Sequence, residues 1–517
     1  MATLSPPRAG RWVTRRRRPA REVPLLVGAG VIALALLSPL VLVALDAHSA
    51  GWGEIHRTLF RSRSVMLLRH TVVLAVVVSV LAAVIGTAMA WLTERTALPA
   101  RRLWTVLLVL PVAIPDFVVG FAWHSFAPRL APLVGASIVM TLGTYPLVYL
   151  PVAAALRRAD PSMEEAAHCL GVGRTATFFR VTLPLVRTAI VGGCVLVVLT
   201  VISEFGAFEI LGYQTFTTEI FTEFQFDSRA AGALAIPLVL LGLLVLLTEG
   251  LIPRRTVTGS APRRAVRPAR LRRLTVPAML AMAALVALGV GVPVGTIVYW
   301  MATSQHTTFP ATATVATATW TTLSYSAAGA AVAVVLALPV ALVSFRRSTV
   351  PRSVLERSTY VTKALPGVVI ALSLVFFATR YVFGLYETST LLVAAYVILN
   401  FPLALVCVKA SVAHVPPRLT DVGRSLGRGP VAVFVRVTLP LLAPGLLAGF
   451  CLVFLTAVTE LTATLVLAPI GVQTLATQFW AFQQNIAYNA AAPYALVMVA
   501  LAVIPGTLLG LWFDRER

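Results

Sequence analysis

Glu204 and Glu460 lie 256 residues apart, each inside a long apolar stretch. A charged side chain at the centre of a bilayer costs roughly 2.5–3.5 kcal/mol on insertion scales and usually faces a cavity or a partner. A symmetric pair of such acids suits a translocation path and would lend favourable potential to a cation. The same two carboxylates could instead cap breaks in their helices, and the sequence leaves both readings open. Asp116 follows Pro115, but its counterpart is Gly367, and Glu209 is answered by Leu465. That asymmetry argues against an essential role for either acid.

Other chemistries fail on residue type and spacing. A P-loop needs Gly-Lys followed by Ser or Thr. The only lysines are Lys363 and Lys409, and each is followed by alanine. The chain therefore carries no ATPase site of its own. His48, His56, His70, His124, His168, His306 and His414 show no i, i+4 pairing, so no metal ligands are assigned. Cys169, Cys194, Cys407 and Cys451 form no C-x-x-C motif, which makes disulfides and a structural zinc improbable. No H-E-x-x-H, catalytic carboxylate pair or nucleophile motif is present, so no catalytic residue is assigned.

The most informative stretch runs from Asp160 to Gly171. Ser162 with Glu165 fits a capping box that would open a short helix, and Gly171 suits its left-handed stop. Ala166 and Ala167 give that helix a smooth face that another protein can approach. Leu183-Pro184 then reads as the opening of the next membrane helix, where proline is tolerated. The stretch recurs: Phe178-Phe179-Arg180-Val181-Thr182-Leu183-Pro184 returns as Phe434-Val435-Arg436-Val437-Thr438-Leu439-Pro440. At the same offset Gly171 matches Gly427, Pro161 matches Pro417, and Thr218 matches Thr474. Earlier in each half the offset is 251, pairing Pro115 with Pro366 and Arg95 with Arg346.

Glu165-Ala166-Ala167, Gly171, Val181 and Leu183-Pro184 resemble the signature loop of binding-protein-dependent ABC importer permeases. The second copy keeps the spacing with Asp421-Val422-Gly423, Gly427, Val437 and Leu439-Pro440, but loses both alanines. Ser162 becomes Arg418, so the capping box is lost as well. The resemblance implies a coupling helix in each half that docks on a cytoplasmic ABC ATPase, a homodimer. ATP and Mg²⁺ would then sit on that partner, with no cofactor on this chain. A narrower resemblance, to ferric-iron-type fused permeases, rests on Glu204-Phe205-Gly206-Ala207 with Gly212–Ile220, and on Thr459–Leu467 with Gln473–Thr477. It implies a separate extracytoplasmic solute-binding protein that holds the selective iron site, and a low-affinity path here. Fe³⁺ as a hard cation favours oxygen ligands. Thiamine permeases share the layout and stay open as the alternative, with polyamine or phosphonate types behind them. A proton-coupled secondary transporter is the rival class, and it gives no reason for the doubled loop.

The elements that must carry these residues follow from composition. Charged residues make up 12% of the 517, against about 25% in soluble domains. Apolar runs of about 20 residues cross the hydrocarbon layer. Twelve are found, near 23–45, 65–92, 103–127, 133–156, 185–213 and 231–252, then 276–301, 319–344, 361–382, 388–412, 441–467 and 491–512. The expected fold is an all-α polytopic membrane protein made of two parallel six-helix repeats. The first half spans 23–252, with its loop near 157–184. The second spans 276–512, with its loop near 413–440. A basic N-terminus (1–22), a basic linker (253–275) and a short C-terminus (513–517) complete the chain.

The net charge of +22 would ordinarily raise nucleic acid as a partner. The basic residues alternate by side instead, 35 on one and six on the other, with Arg69 inside a helix. That is the positive-inside bias. It puts both termini in the cytoplasm of a bacterial inner membrane, with lipid rather than nucleic acid as the contact. Segments 302–318 and 469–490 carry no charged residue, whereas 214–229 carries Glu219, Glu223 and Asp227. Segment 469–490 either dips into the bilayer edge or covers the path, or is a plain connecting loop.

Overall fold

The computed structural model describes residues 23–160, 162–251, 271–303, 309–345, 359, 361–416, 419, 422–423 and 425–515. The basic N-terminus, most of the linker, Arg346 and Asp421 lie outside the described residues. Helices dominate and no strand occurs among the described residues. Within hydrocarbon every backbone polar group must be satisfied internally, and a helix does this within one segment.

In the first half the helices are α1 (Val23–Ala50), α2 (Trp52–Leu59), α3 (Ser62–Arg95), α4 (Arg101–Val109), α5 (Asp116–Phe126), α6 (Pro132–Arg158), α7 (Ser162–Cys169), α8 (Thr175–Ser203), α9 (Gly206–Leu211), α10 (Phe216–Phe226) and α11 (Ser228–Leu251). In the second half they are α12 (Thr275–Ala302), α13 (Thr312–Phe345), α14 (Gly367–Tyr381), α15 (Ser389–His414), α16 (Pro430–Val458), α17 (Thr462–Leu467), α18 (Leu475–Gln484) and α19 (Tyr488–Arg515).

Nine of the described helices are long and apolar enough to cross a membrane alone. The third expected span is instead two arms, α4 with a 3₁₀ turn and then α5, bent by 92°. Pro115 explains the bend, because it lacks an N–H and drives Ile114 into extended backbone (φ −89°, ψ 127°). Leu365 before Pro366 repeats the conformation (φ −92°, ψ 121°) at the start of α14. The shorter α14 and the apolar part of α19 take the remaining two positions. The expected continuous runs 185–213 and 441–467 are also interrupted, after Ser203 and after Val458.

Within each half a helix triplet forms the scaffold: α3, α6 and α8 in the first, α13, α15 and α16 in the second. The halves also exchange arms. α1 lies on α13 and α14 of the second half, and the end of α12 lies on α5 of the first. Two of the large buried clusters therefore mix residues of both halves, while a third belongs almost wholly to the first. Burial on this scale gives the two repeats one shared core.

Gly193 sets the α6–α8 crossing. A Cβ there would meet Val148 Cα at 2.7 Å and the Leu147 carbonyl oxygen at 2.9 Å, both rigid backbone. Gly192, its neighbour, faces open space. Gly193→Ala should therefore lower the thermal midpoint of the purified protein, at a cost of about 1–3 kcal/mol for overpacking. Gly192→Ala should leave the midpoint near wild type. Equal midpoints for the two variants would refute the close crossing.

Candidate functional site

The first signature loop is built as a short helix with a glycine stop. α7 begins at Ser162, and the Asp160 carboxylate accepts the Ser162 N–H at 2.9 Å. Asp160 thus takes the capping role expected of Ser162. At the other end Gly171 is left-handed (φ +80°). The Val172 N–H reaches the Ala167 carbonyl, and the Gly171 N–H reaches that of His168, both at 3.0 Å. This is a Schellman stop. Glu165 and Ala166 are exposed, and Ala167 is buried against the bundle.

The second loop repeats the stop. Gly427 has φ +76°, and the Arg428 N–H bonds to the Gly423 carbonyl at 3.3 Å. Val422 is exposed. A Cβ on Gly423 would come within 3.1 Å of Val433, so glycine leaves room for that valine. Leu170 and Leu426, one residue before each stop, are 82% and 75% exposed. Both copies thus present a large apolar side chain at the loop tip. Sequence reading passed over this pair, although its position before the glycine in both copies was visible.

Leu183-Pro184 does not open a helix. α8 and α16 are each continuous through a π-turn, at Phe178–Thr182 and Phe434–Thr438. A proline inside an α-helix clashes with the carbonyl four residues earlier. The wider turn is placed to absorb that clash at Pro184 and Pro440. Leu183 and Leu439 are half-buried behind them, and both prolines are exposed.

The interrupted spans carry the two glutamates. The Glu204 carboxylate accepts the Ala207 N–H at 2.8 Å, at the start of α9. The Glu460 carboxylate accepts the Ala463 N–H at 3.0 Å, at the start of α17. Their carbonyls are matched too: Thr217 donates to that of Glu204 at 2.6 Å and Thr464 to that of Glu460 at 2.7 Å. The two breaks meet across the seam between the halves. A Cβ on Gly206 would lie 2.8 Å from both the Leu461 side chain and the Phe117 Cβ. Gly367 passes beside the Glu460 carboxylate, and Gly143 leaves room for that of Asp116. Glu204 is within electrostatic reach of Asp116 and Glu460, and Lys363 interacts with Glu460. All three acids are half-buried, and Lys363 keeps accessible surface although helices surround it. Asp116 and Lys363 thus belong to the glutamates' neighbourhood, which their asymmetry between the halves concealed.

Over this seam lies the uncharged segment 469–490. It folds as α18, whose Phe479 packs on Phe117 and Phe121 and whose Trp480 packs on Phe205. Its first-half partner is α10. Here the register differs from the sequence match: Thr215 and Thr474 occupy the same place, 259 residues apart. Both open capping boxes. The N–H that follows each is received by an equivalent hydroxyl, Thr71 at 3.3 Å and Thr322 at 2.8 Å. Three extra residues before α18 account for the shift. Glu219 and Glu223 of α10 pair with Arg63 at 2.6 Å and Arg61 at 2.9 Å. Among the described residues, no three His, Cys, Asp or Glu side chains converge to hold a metal ion, and the four cysteines are free.

Comparison with known proteins places this geometry. The family described as binding-protein-dependent transport system inner membrane component matches residues 82–257 and again 329–515. The Fe(3+)-transport system permease protein FbpB 2 of Haemophilus influenzae is 35% identical over 501 residues, 95% of this chain and 98% of that protein. The sulfate transport system permease protein CysT of Escherichia coli is 30% identical over 255 residues, 45% of this chain and 92% of its own length. The molybdenum transport system permease protein ModB of Escherichia coli is 33% identical over 141 residues, 24% of this chain and 60% of its own.

Removing either glutamate's bond to the helix start should cost about 0.5–2 kcal/mol, as loss of a cap does. Glu204→Ala and Glu460→Ala should each lower the thermal midpoint of the purified protein, and Glu209→Ala, exposed on α9, should not. Unchanged midpoints for the first two would show that the caps contribute nothing.

Proposed function

The chain belongs to the family of binding-protein-dependent transport system inner membrane components, and we propose that it is the fused permease that carries ferric iron from an extracytoplasmic binding protein into the cytoplasm. The observation that carries the cargo is the full-length likeness. The iron permease aligns with both halves at once, whereas the sulfate and molybdenum permeases each cover less than half of this chain. The chemistry at the seam agrees with a cation. Asp116, Glu204 and Glu460 bring three carboxylates to the junction of the halves against one ammonium, Lys363. Carboxylate oxygens suit a hard cation in passing. High selectivity then belongs to the binding protein.

The drive is ATP hydrolysis on a homodimeric cytoplasmic partner, which also holds the Mg²⁺. That partner engages the exposed Glu165, Ala166 and Leu170 in the first loop and the exposed Val422 and Leu426 in the second, whose sequence also carries Asp421. Closure of its two subunits draws the loops together, and the rigid triplets α3–α6–α8 and α13–α15–α16 carry the movement to the seam. Because α1 and the end of α12 grip the opposite halves, the halves rotate against each other without separating. Both termini lie in the cytoplasm, following the sided distribution of arginine.

The test is reconstitution of the permease with its ATPase and binding protein in proteoliposomes, scored with radiolabelled ferric iron. Uptake should require ATP inside. Glu165→Lys and Asp421→Lys should cut uptake and co-purification of the ATPase by about tenfold or more, since each ~1.4 kcal/mol lost at a docking surface is a factor of ten. Uptake that persists without ATP would overturn the importer mechanism in favour of a proton-coupled carrier. Uptake of thiamine, a polyamine or a phosphonate with none of iron would overturn the cargo.

A further inference from the structure

At the basic end of the first half, charged side chains are buried where the signature loop meets the bundle. Glu94 and Arg95, the last residues of α3, are 2% and 3% exposed as side chains. Glu94 receives Arg157 of α6 on one oxygen, with Nη2 at 2.6 Å and Nε at 2.7 Å. Its other oxygen pairs with Arg101. Glu94 is therefore fully employed inside the bundle. The carboxylate facing Arg95 comes from the loop: Glu164 of α7, with Oε1 3.3 Å from the Arg95 Nε. The same Oε1 accepts the Thr182 hydroxyl at 3.1 Å, inside the π-turn of α8. Glu164 thus joins three elements: α7, the end of α3 and the π-turn.

We propose that Arg95 and Glu164 are a positioning pair that locks the first coupling loop to the bundle, and that the second loop lacks the acid at the position that would form the same lock. A buried guanidinium left without its counter-charge is strongly unfavourable, more so than the intact pair is favourable. Displacing α7 from the bundle would strip Arg95 of Glu164, so helix and loop move as one body. In the second half the matching positions are Phe345 for Glu94, Ala413 for Arg157 and Thr420 for Glu164. An arginine is present at 346, but both acids are gone. The two coupling loops are consequently unequal: the first transmits displacement rigidly, and the second follows its partner with more freedom. The pair is separate from the docking face, because Glu164 points inward while Glu165 and Ala166 are exposed.

This inference rests on the importer reading, and the test keeps the two apart. Wild type, Glu164→Gln, Arg95→Lys, Thr420→Ala and the exchanged double variant Arg95→Glu with Glu164→Arg are purified with the ATPase and reconstituted with the binding protein. Iron taken up per ATP hydrolysed is the readout, alongside ATPase co-purification. Glu164→Gln keeps an acceptor for Thr182 and loses only the charge. It should lower iron per ATP by about fivefold or more, the lower end of measured coupling between sites, while the ATPase still co-purifies. Arg95→Lys should retain most of the coupling, and Thr420→Ala all of it. The exchanged pair should exceed the single variant Glu164→Arg, prepared and reconstituted in the same way. Wild-type coupling in Glu164→Gln, or an equal loss in Thr420→Ala, would overturn the lock. A wild type without ATP-dependent uptake would instead sink the importer reading itself.

Discussion

Two helices stop inside the apolar part of this protein, and hydrocarbon offers no water to the N–H and C=O groups that such a stop releases. Much of the structure answers that constraint. At each break a glutamate supplies an acceptor to the short helix that follows, and a threonine hydroxyl covers the glutamate's own carbonyl. Each short helix packs mainly on its own half, α9 on α5 and α6 and α17 on α14 and α15, and the breaks meet where Gly206 of one half approaches Leu461 of the other. The seam between the halves is thus where the two breaks come together.

A capping role and a transport role are often treated as competing explanations for a membrane acid. Here the capping role is the one on display, since each carboxylate receives a backbone N–H of the short helix that follows it. A carboxylate bound to one backbone N–H retains further lone pairs, and the half-buried positions of Glu204 and Glu460 leave those accessible. The unequal neighbours refine this: Asp116 stands by Glu204, while Lys363 acts on Glu460. The pseudo-symmetric seam therefore has unequal charged neighbours on its two sides. The basic end shows the same pattern, with a dense ionic network in one half and its acids missing in the other.

Much of this was legible in the chain. The run lengths gave the helices, and the doubled Gly–Leu-Pro spacing marked the loops. Gly171 and Gly427 announced left-handed stops because no other residue takes that conformation as cheaply. Other features misled. Ser162 looked like a cap, but Asp160 is the acceptor. Leu-Pro looked like a helix start, but a π-turn carries the helix through it. Thr218 matched Thr474 by constant offset, yet three inserted residues make Thr215 the true partner. In each case a local rule was applied correctly to the wrong neighbour.

By itself the sequence determined membrane, duplication and the spacing of two loops, because these depend on transfer energy and periodicity along one strand of chain. The tertiary structure alone decided which charges meet. Glu94 and Arg157 lie 63 residues apart, Arg95 and Glu164 lie in different elements, and Glu204 and Glu460 belong to different halves. Electrostatic interaction falls with distance in space and is blind to distance along the chain. The partners of a buried charge therefore become visible only once the helices have packed.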